Sequence, residues 1–248
     1  MIAAIVNQKG GTAKTTTVLN LAVALAEMDQ KVMAIDMDTQ GNLTYSFGFM
    51  NLDKTIADVF HEDARWEDTL LKIEGIDLMP ADVNLADVEL AMSEADERAF
   101  YLKEILKPHQ DEYDWIFIDC PPSLSTLTLN ALAAVEKVII PMQLEVLSLQ
   151  GLELIVKTIS KVSKAYNAEL SILGILPVMV DYRRKLSMEV LEHIRENYEM
   201  PIFESRIRTN VKASEAPSFG QSVLTYAPRS NAATDYIRLA KEMMQLNK

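Results

Sequence analysis

One cysteine stands among the 248 residues, Cys120. It cannot form an internal disulfide or assemble a cysteine-rich metal site. The three histidines, His61, His109 and His193, are scattered and lack the spacing of a ligand set. Glycine (8) and proline (9) are sparse. No linker, repeat or low-complexity tract divides the chain, which reads as one domain over residues 1–248. No apolar run approaches the roughly 20 residues needed to cross a bilayer. No charged leader with a short apolar core opens the sequence. These absences predict a cytoplasmic location with no membrane attachment. Basic residues are outnumbered 24 to 36, for a net charge of −12, the sign opposite to that of most nucleic-acid binders. What remains is 49% hydrophobic and 24% charged, a globular composition long enough to fill one large core.

The charge is uneven. Residues 1–180 hold 13 Lys and Arg against 27 Asp and Glu, whereas residues 181–248 hold 11 against 9. The C-terminal part can therefore present a basic face to an anionic partner while the opposite side stays acidic. Ordinary scatter of charge over solvated faces reads equally well from the counts.

Apolar runs at Ile2–Val6, Val32–Asp36, Ile76–Met79, Trp115–Asp119, Val138–Pro141, Ile172–Leu176, Ile202–Phe203 and Val223–Leu224 read as strands. Helical periodicity fills most of the gaps, for example Leu149–Lys164 and Ser187–Tyr198. Alternation of this kind predicts an α/β fold, a mostly parallel twisted sheet with helices on both faces. Such sheets bind ligands beyond the carboxyl ends of their strands.

The first such end carries Gln8-Lys9-Gly10-Gly11-Thr12-Ala13-Lys14-Thr15-Thr16, followed by Val18, Leu21, Ala22, Leu25 and Met28 at helical spacing. Strand, glycine loop, Lys-Thr and helix is the layout of a phosphate-binding loop. Gly10 and Gly11 let backbone N–H groups turn inward around an anion, and the helix N-terminus faces the same way. Lys14 is placed to reach β- and γ-phosphate oxygens, and Thr15 to offer its hydroxyl to Mg²⁺. The full pattern G-x-x-x-x-G-K-[ST] fails at Gln8 and Ala13. If the loop needs positive φ at position 13, alanine costs about 1 kcal/mol there.

Two further strand ends carry acids. Trp115–Ile118 leads into Asp119, then Cys120-Pro121-Pro122-Ser123. Val32–Ile35 leads into Asp36-Met37-Asp38-Thr39-Gln40-Gly41-Asn42, with Asp36 and Asp38 on alternate positions and hence on one side.

The segment K-G-G-x-x-K-[ST], with its second lysine Lys9, closely resembles the deviant Walker A loop of the ParA/MinD superfamily of P-loop NTPases. Asp119-Cys120-Pro121-Pro122 resembles the start of its switch II. Residues 36–42 resemble its D-x-D-P-Q-G-N, with Thr39 in place of proline. Ser214-Glu215-Ala216-Pro217-Ser218 and Pro228-Arg229-Ser230 extend the likeness to the Soj/ParA partitioning branch. The resemblance implies ATP and ADP as ligands with Mg²⁺, and slow intrinsic hydrolysis raised by a ParB-like protein. It also implies a homodimer sandwiching two nucleotides, nonspecific DNA binding by that dimer, and a nucleoid-associated location. By the resemblance, Lys9, Gly10, Gly11, Thr12, Ala13, Lys14, Thr15 and Thr16 hold the nucleotide, and Met179 and Pro217 wall the base. Thr15, Asp36 and Asp119 serve the metal. Asp38 positions the attacking water, and Lys9 reaches the partner's nucleotide. Arg206, Arg208, Lys212 and Arg229 are the expected DNA contacts, with Arg183, Arg184 and Lys185 weaker. The family usually has arginine where this chain has Thr209.

Competing readings are a MinD-type membrane ATPase, a cargo-positioning relative and a nonhydrolysing nucleotide clamp. An iron–sulfur reductase sharing the loop is excluded, because Cys120 and its copy in a dimer supply two thiolates where a cluster needs four.

Overall fold

The computed structural model describes residues 1–94, 99–181, 183 and 185–247. Eight strands form one sheet: β1 (Ile2–Ile5), β2 (Val32–Asp36), β3 (Leu71–Ile73), β4 (Ile76–Met79), β5 (Trp115–Asp119), β6 (Lys137–Gln143), β7 (Ser171–Val180) and β8 (Ile207–Arg208), in the order β3-β4-β2-β5-β1-β6-β7-β8. Every pairing is parallel except β3 with β4. The mostly parallel sheet of the sequence reading is the observed one.

Strand alternation divides the core. Ile2, Ala4 and Val6 point to one face with Met33, Ile35, Ile116 and Ile118; Ala3 and Ile5 point to the other with Ala34, Trp115 and Phe117. The first face is covered by α3 (Ile56–Phe60), α4 (Trp66–Thr69), α5 (Leu85–Glu94), α6 (Tyr101–Leu106), α7 (Thr126–Ala134), α8 (Val146–Ala165) and α9 (Lys185–Asn197). The second is covered by α1 (Lys14–Ala26), α2 (Asn42–Ser46), α10 (Val211–Glu215), α11 (Val223–Tyr226) and α12 (Asn231–Leu246). α1 is buried almost all round, because the sheet lies under it and α12 packs against it. Each of its buried leucines contributes about 2 kcal/mol of transfer free energy.

Two strand expectations need correction. Val223–Leu224 is the start of helix α11. Ser222 caps it by accepting the Thr225 N–H at 3.2 Å, and the Asn20 side chain of α1 accepts the Val223 N–H at 2.7 Å. These side-chain acceptors satisfy helix-terminal donors that apolar content alone does not reveal. Ile202 makes a single bridge to Ile175 rather than a strand. Conversely, β3 and β8 were not expected. β3 follows from the Glu74-Gly75 turn, whose residues have φ 46° and 82° and so fold the chain back onto β4.

Candidate active site

β1 lies between β5 and β6, the point where the strand order reverses, so its carboxyl end opens into a crevice. The loop after β1 is tied down from below. Asn7 Nδ2 donates to the Pro141 carbonyl at 2.6 Å, Asn7 Oδ1 accepts the Lys9 N–H at 3.0 Å, and the Thr12 hydroxyl donates to the Lys9 carbonyl at 3.1 Å. Gly11 and Ala13 both have left-handed backbone, at φ 71° and 60°. The sequence raised that need at position 13, and the chain meets it with an alanine. A methyl at Gly10 or Gly11 would touch nothing within 4 Å, so the loop borders open space. That space is a cleft of about 360 Å³ lined by residues 10–16, Asp38, Asn42, Ser46 and Pro122.

Register brings the acids to this cleft. Asp119 pairs with Ile5 of β1 and with Asp36 of β2, so both carboxylates stand at the sheet's carboxyl edge. Each is fully buried. Burial pushes both carboxyls up, Asp119 well above the usual range with Asp36 adding to the effect. Their partners differ. Asp36 Oδ2 accepts the Thr44 N–H at 2.9 Å and its hydroxyl at 2.8 Å, and Oδ1 accepts the Asp38 N–H at 3.1 Å. Asp119 Oδ2 accepts the Thr15 hydroxyl at 2.6 Å, while its buried Oδ1 has no partner. Asp36 thus braces the loop, and Asp119 keeps one buried oxygen unmatched. No group of three or more His, Cys, Asp or Glu side chains among the described residues is arranged to hold a metal. A cation here would take most of its ligands from a phosphate ligand and water, as Mg²⁺ does.

Asp38 is buried at 6% exposure, and its carboxylate is held by the Gln40 N–H at 3.0 Å and Asn42 Nδ2 at 3.3 Å. Lys14 is 8% exposed. Burial pulls its ammonium down, and Asp119, Cys120 and Asp38 pull it back up. Thr16 lines this cleft and a second one beside it. Lys9 turns the other way, its Nζ 3.1 Å from Glu145 Oε2 and 3.3 Å from Gln143 Oε1.

The second cleft, about 160 Å³ and mostly apolar, is lined by Ala13, Thr16, the end of β7 at Val178 and Met179, β8, residues 209–211, Ala213, Ser214 and Tyr236. Met179 is one wall, held at φ 52°. Pro217 is absent from the lining and sits in the single 3₁₀ turn Ala216–Phe219, with Ala213 and Ser214 in the place expected for it.

Of the basic residues, Arg208 is bound to Asp235, while Arg206 is half-buried with Nη1 3.9 Å from Met188 Sδ. Lys212 pairs with Glu215 at 2.8 Å and lies 5.5 Å from the centre of the Tyr226 ring. Arg229 is exposed just before α12. Arg206, Arg208 and Lys212 lie on or within four residues of edge strand β8. Arg183 pairs with Asp181 at 2.8 Å, and Lys185 opens α9. Arg184 lies outside the described residues.

Residue-by-residue reading missed Thr44 and Gln143. Gln143 ends β6, with Nε2 3.4 Å from the Gly11 carbonyl and 2.8 Å from Met179 Sδ, so it links the loop to the second cleft. Its place at a strand's carboxyl end was the available signal.

A glycine loop running into Lys-Thr at a helix start, faced by two strand-end carboxylates, defines a P-loop nucleotide-binding protein. A family model for an AAA domain matches residues 1–172. The sporulation initiation inhibitor protein Soj of Bacillus subtilis is 39% identical over 246 residues, covering 98% of this chain and 97% of its own. The chromosome partitioning protein ParA of Myxococcus xanthus is 38% identical over 248 residues, covering 98% and 88%. Among solved structures, a Mycobacterium smegmatis protein named cobyrinic acid a,c-diamide synthase, with bound ATP analog and magnesium, is 34% identical. It matches with a TM-score of 0.89 over 98% of this chain and 94% of that one. The chain belongs to the ParA/Soj family of chromosome-partitioning ATPases.

Proposed function

We propose that residues 1–248 work as one Mg-ATP-dependent ATPase domain that dimerises around nucleotide. As the dimer it binds DNA without sequence preference and serves chromosome or plasmid segregation with a ParB-like partner. The observation that carries the reading is the Thr15–Asp119 contact at the mouth of the loop, beside a buried carboxylate oxygen with no partner. A Mg²⁺ ion held by the Thr15 hydroxyl and the Asp119 side would neutralise charge on the phosphate oxygens.

The chain's own groups supply the rest. Backbone N–H groups of residues 10–16 and the α1 N-terminus bind the phosphates, and Lys14 neutralises them at close range. Asp36 holds the loop that carries Asp38. Asp38, clamped by two donors, orients water; positioning is its contribution, since an ordinary carboxylate is a weak base for water. The Lys9 ammonium is held by exposed contacts to Glu145 and Gln143, the ion pair being worth about 0–1 kcal/mol. Little opposes its transfer to a nucleotide in the partner subunit. ATP then joins two subunits, and hydrolysis removes what joins them.

Light scattering tests this directly. The Asp38→Ala variant should be monomeric with ADP and dimeric with ATP, and should shift further with nonspecific duplex DNA. DNA affinity should fall steeply with salt. Absence of heat in calorimetry with Mg-ATP and Mg-ADP would overturn the reading. A MinD-like membrane role finds no support in α12, whose apolar residues Ala232, Ala233, Tyr236, Leu239, Ala240 and Met243 are buried in the core. Among the described residues no helix is long and apolar enough to cross a membrane. A pull-down separates DNA cargo from a protein assembly.

A further inference from the structure

The second cleft closes between α12, which is packed in the core, and β8, whose preceding residues Glu204 and Ser205 donate their N–H groups to the Glu242 carboxylate of α12 at 2.8 Å. β8 is only two residues long, lies at the sheet edge and pairs with β7 across a register shift at Met179. A strand this short, paired on one side, is weakly positioned by its ladder. α12 supplies the facing wall through Tyr236.

Asp235 joins the two. Its carboxylate, on a residue 1% exposed, accepts the Arg208 backbone N–H at 3.0 Å. It also takes the guanidinium in a fork, Nε at 2.9 Å from Oδ2 and Nη2 at 2.7 Å from Oδ1. Arg208 Nη2 also lies 3.4 Å from the Asn231 carbonyl, again on α12. One buried acid thus fixes both the main chain and the side chain of a cleft-lining residue. A planar fork on a carboxylate restricts orientation as well as distance, and burial protects it from salt.

We infer that the Arg208–Asp235 pair is a latch that sets the width of the base cleft, making Arg208 a positioning residue for the nucleotide base rather than a contact to DNA phosphates. The inference rests on the reading of this cleft as the base site. The latch's hydrogen bonds among the described residues join the cleft wall to α12 and not to the loop that holds phosphates, so its loss should be felt by a ligand carrying a base and not by one lacking it.

Calorimetry with Mg-ATP and with magnesium tripolyphosphate, which has no base, makes that comparison. In Asp235→Asn, ATP affinity should fall about tenfold, the effect of exchanging a charged for a neutral acceptor, while tripolyphosphate affinity stays within about twofold. Arg208→Lys, which keeps the charge and loses the fork, should show a smaller loss on ATP alone, and it carries the comparison if Asp235→Asn does not fold. KM for ATP should rise with kcat nearly unchanged.

Equal losses for both ligands in a folded variant would overturn the latch, as would an unchanged preference for ATP. Weaker DNA binding by Arg208→Lys at saturating ATP, with the ATP preference intact, would return Arg208 to the DNA face and also overturn it. A wild-type chain that binds neither ligand overturns the nucleotide reading, and the latch with it.

Discussion

The phosphate cleft draws on one contiguous loop, and two strand-end acids stand beside it. The cleft next to it draws walls from Ala13, the end of β7, β8, α10 and Tyr236. In the first, the loop sits on the central strand, its lysine and carboxylates are buried, and neighbours on both sides fix their place. In the second, the walls come largely from the sheet edge, one strand is two residues long, and polar contacts from Arg208 and from residues 204–205 tie it to α12. The difference teaches that grip on the phosphates is built into the core. On the proposed reading, the base end rests on late-chain elements at the sheet edge.

The largest expected effect lies at the phosphate end. Lys14→Ala removes a buried charge and should weaken Mg-ATP and tripolyphosphate alike, by about 100-fold or more; calorimetry that showed loss for ATP alone would break the division between the two ends. Asp38→Ala should lower phosphate release by about 100-fold and leave ATP affinity nearly unchanged, which a release assay run alongside calorimetry reads. Gly41→Ala tests the loop behind Asp38. Gly41 has φ 58°, and a methyl there would stand 2.7 Å from the Ala81 carbonyl oxygen, so the variant should lose about 3 kcal/mol of stability in a urea titration. At the base end, Asn210 accepts the Lys212 N–H at 2.8 Å and so caps α10. Asn210→Ala should cost about 1 kcal/mol and weaken ATP binding while sparing tripolyphosphate; equal losses would merge the two ends. The smallest effect is a gain. Ala13→Gly relieves a left-handed residue and should raise the melting temperature by about 2 °C.

The sequence carried the phosphate end because its residues are neighbours in the chain. Lys9 to Thr16 lie in one turn between a buried strand and an apolar helix, so their relative positions follow from local geometry. Asp36, Asp38 and Asp119 end apolar runs, and in a parallel sheet such ends share one edge. The pattern of continuous apolar runs likewise carried six of the strands. It failed at Val223, where the capping groups Ser222 and Asn20 decide, the latter 203 residues away. It failed at β8, whose two residues leave no pattern to read.

Contacts made with long-range partners emerge only on folding. Asp36 and Asp119 look alike as strand-terminal acids. Thr44 reaches both main chain and side chain to Asp36, whereas Asp119 meets only Thr15 and keeps one oxygen unmatched. Arg208 looks like one more cation in a basic tail until Asp235, 27 residues later, places it against α12. Met179 and Pro217 were equally plausible walls; Met179 lines the cleft, and Pro217 lies in a 3₁₀ turn outside its lining. By itself the chain determined a strand–loop–helix that cradles phosphate and the parallel sheet that carries it, because both arise from residue order and short-range periodicity. The tertiary structure alone decided which acid braces a loop, which acid keeps an oxygen unmatched and which arginine is already paired, because those depend on partners whose distance along the chain no periodicity encodes.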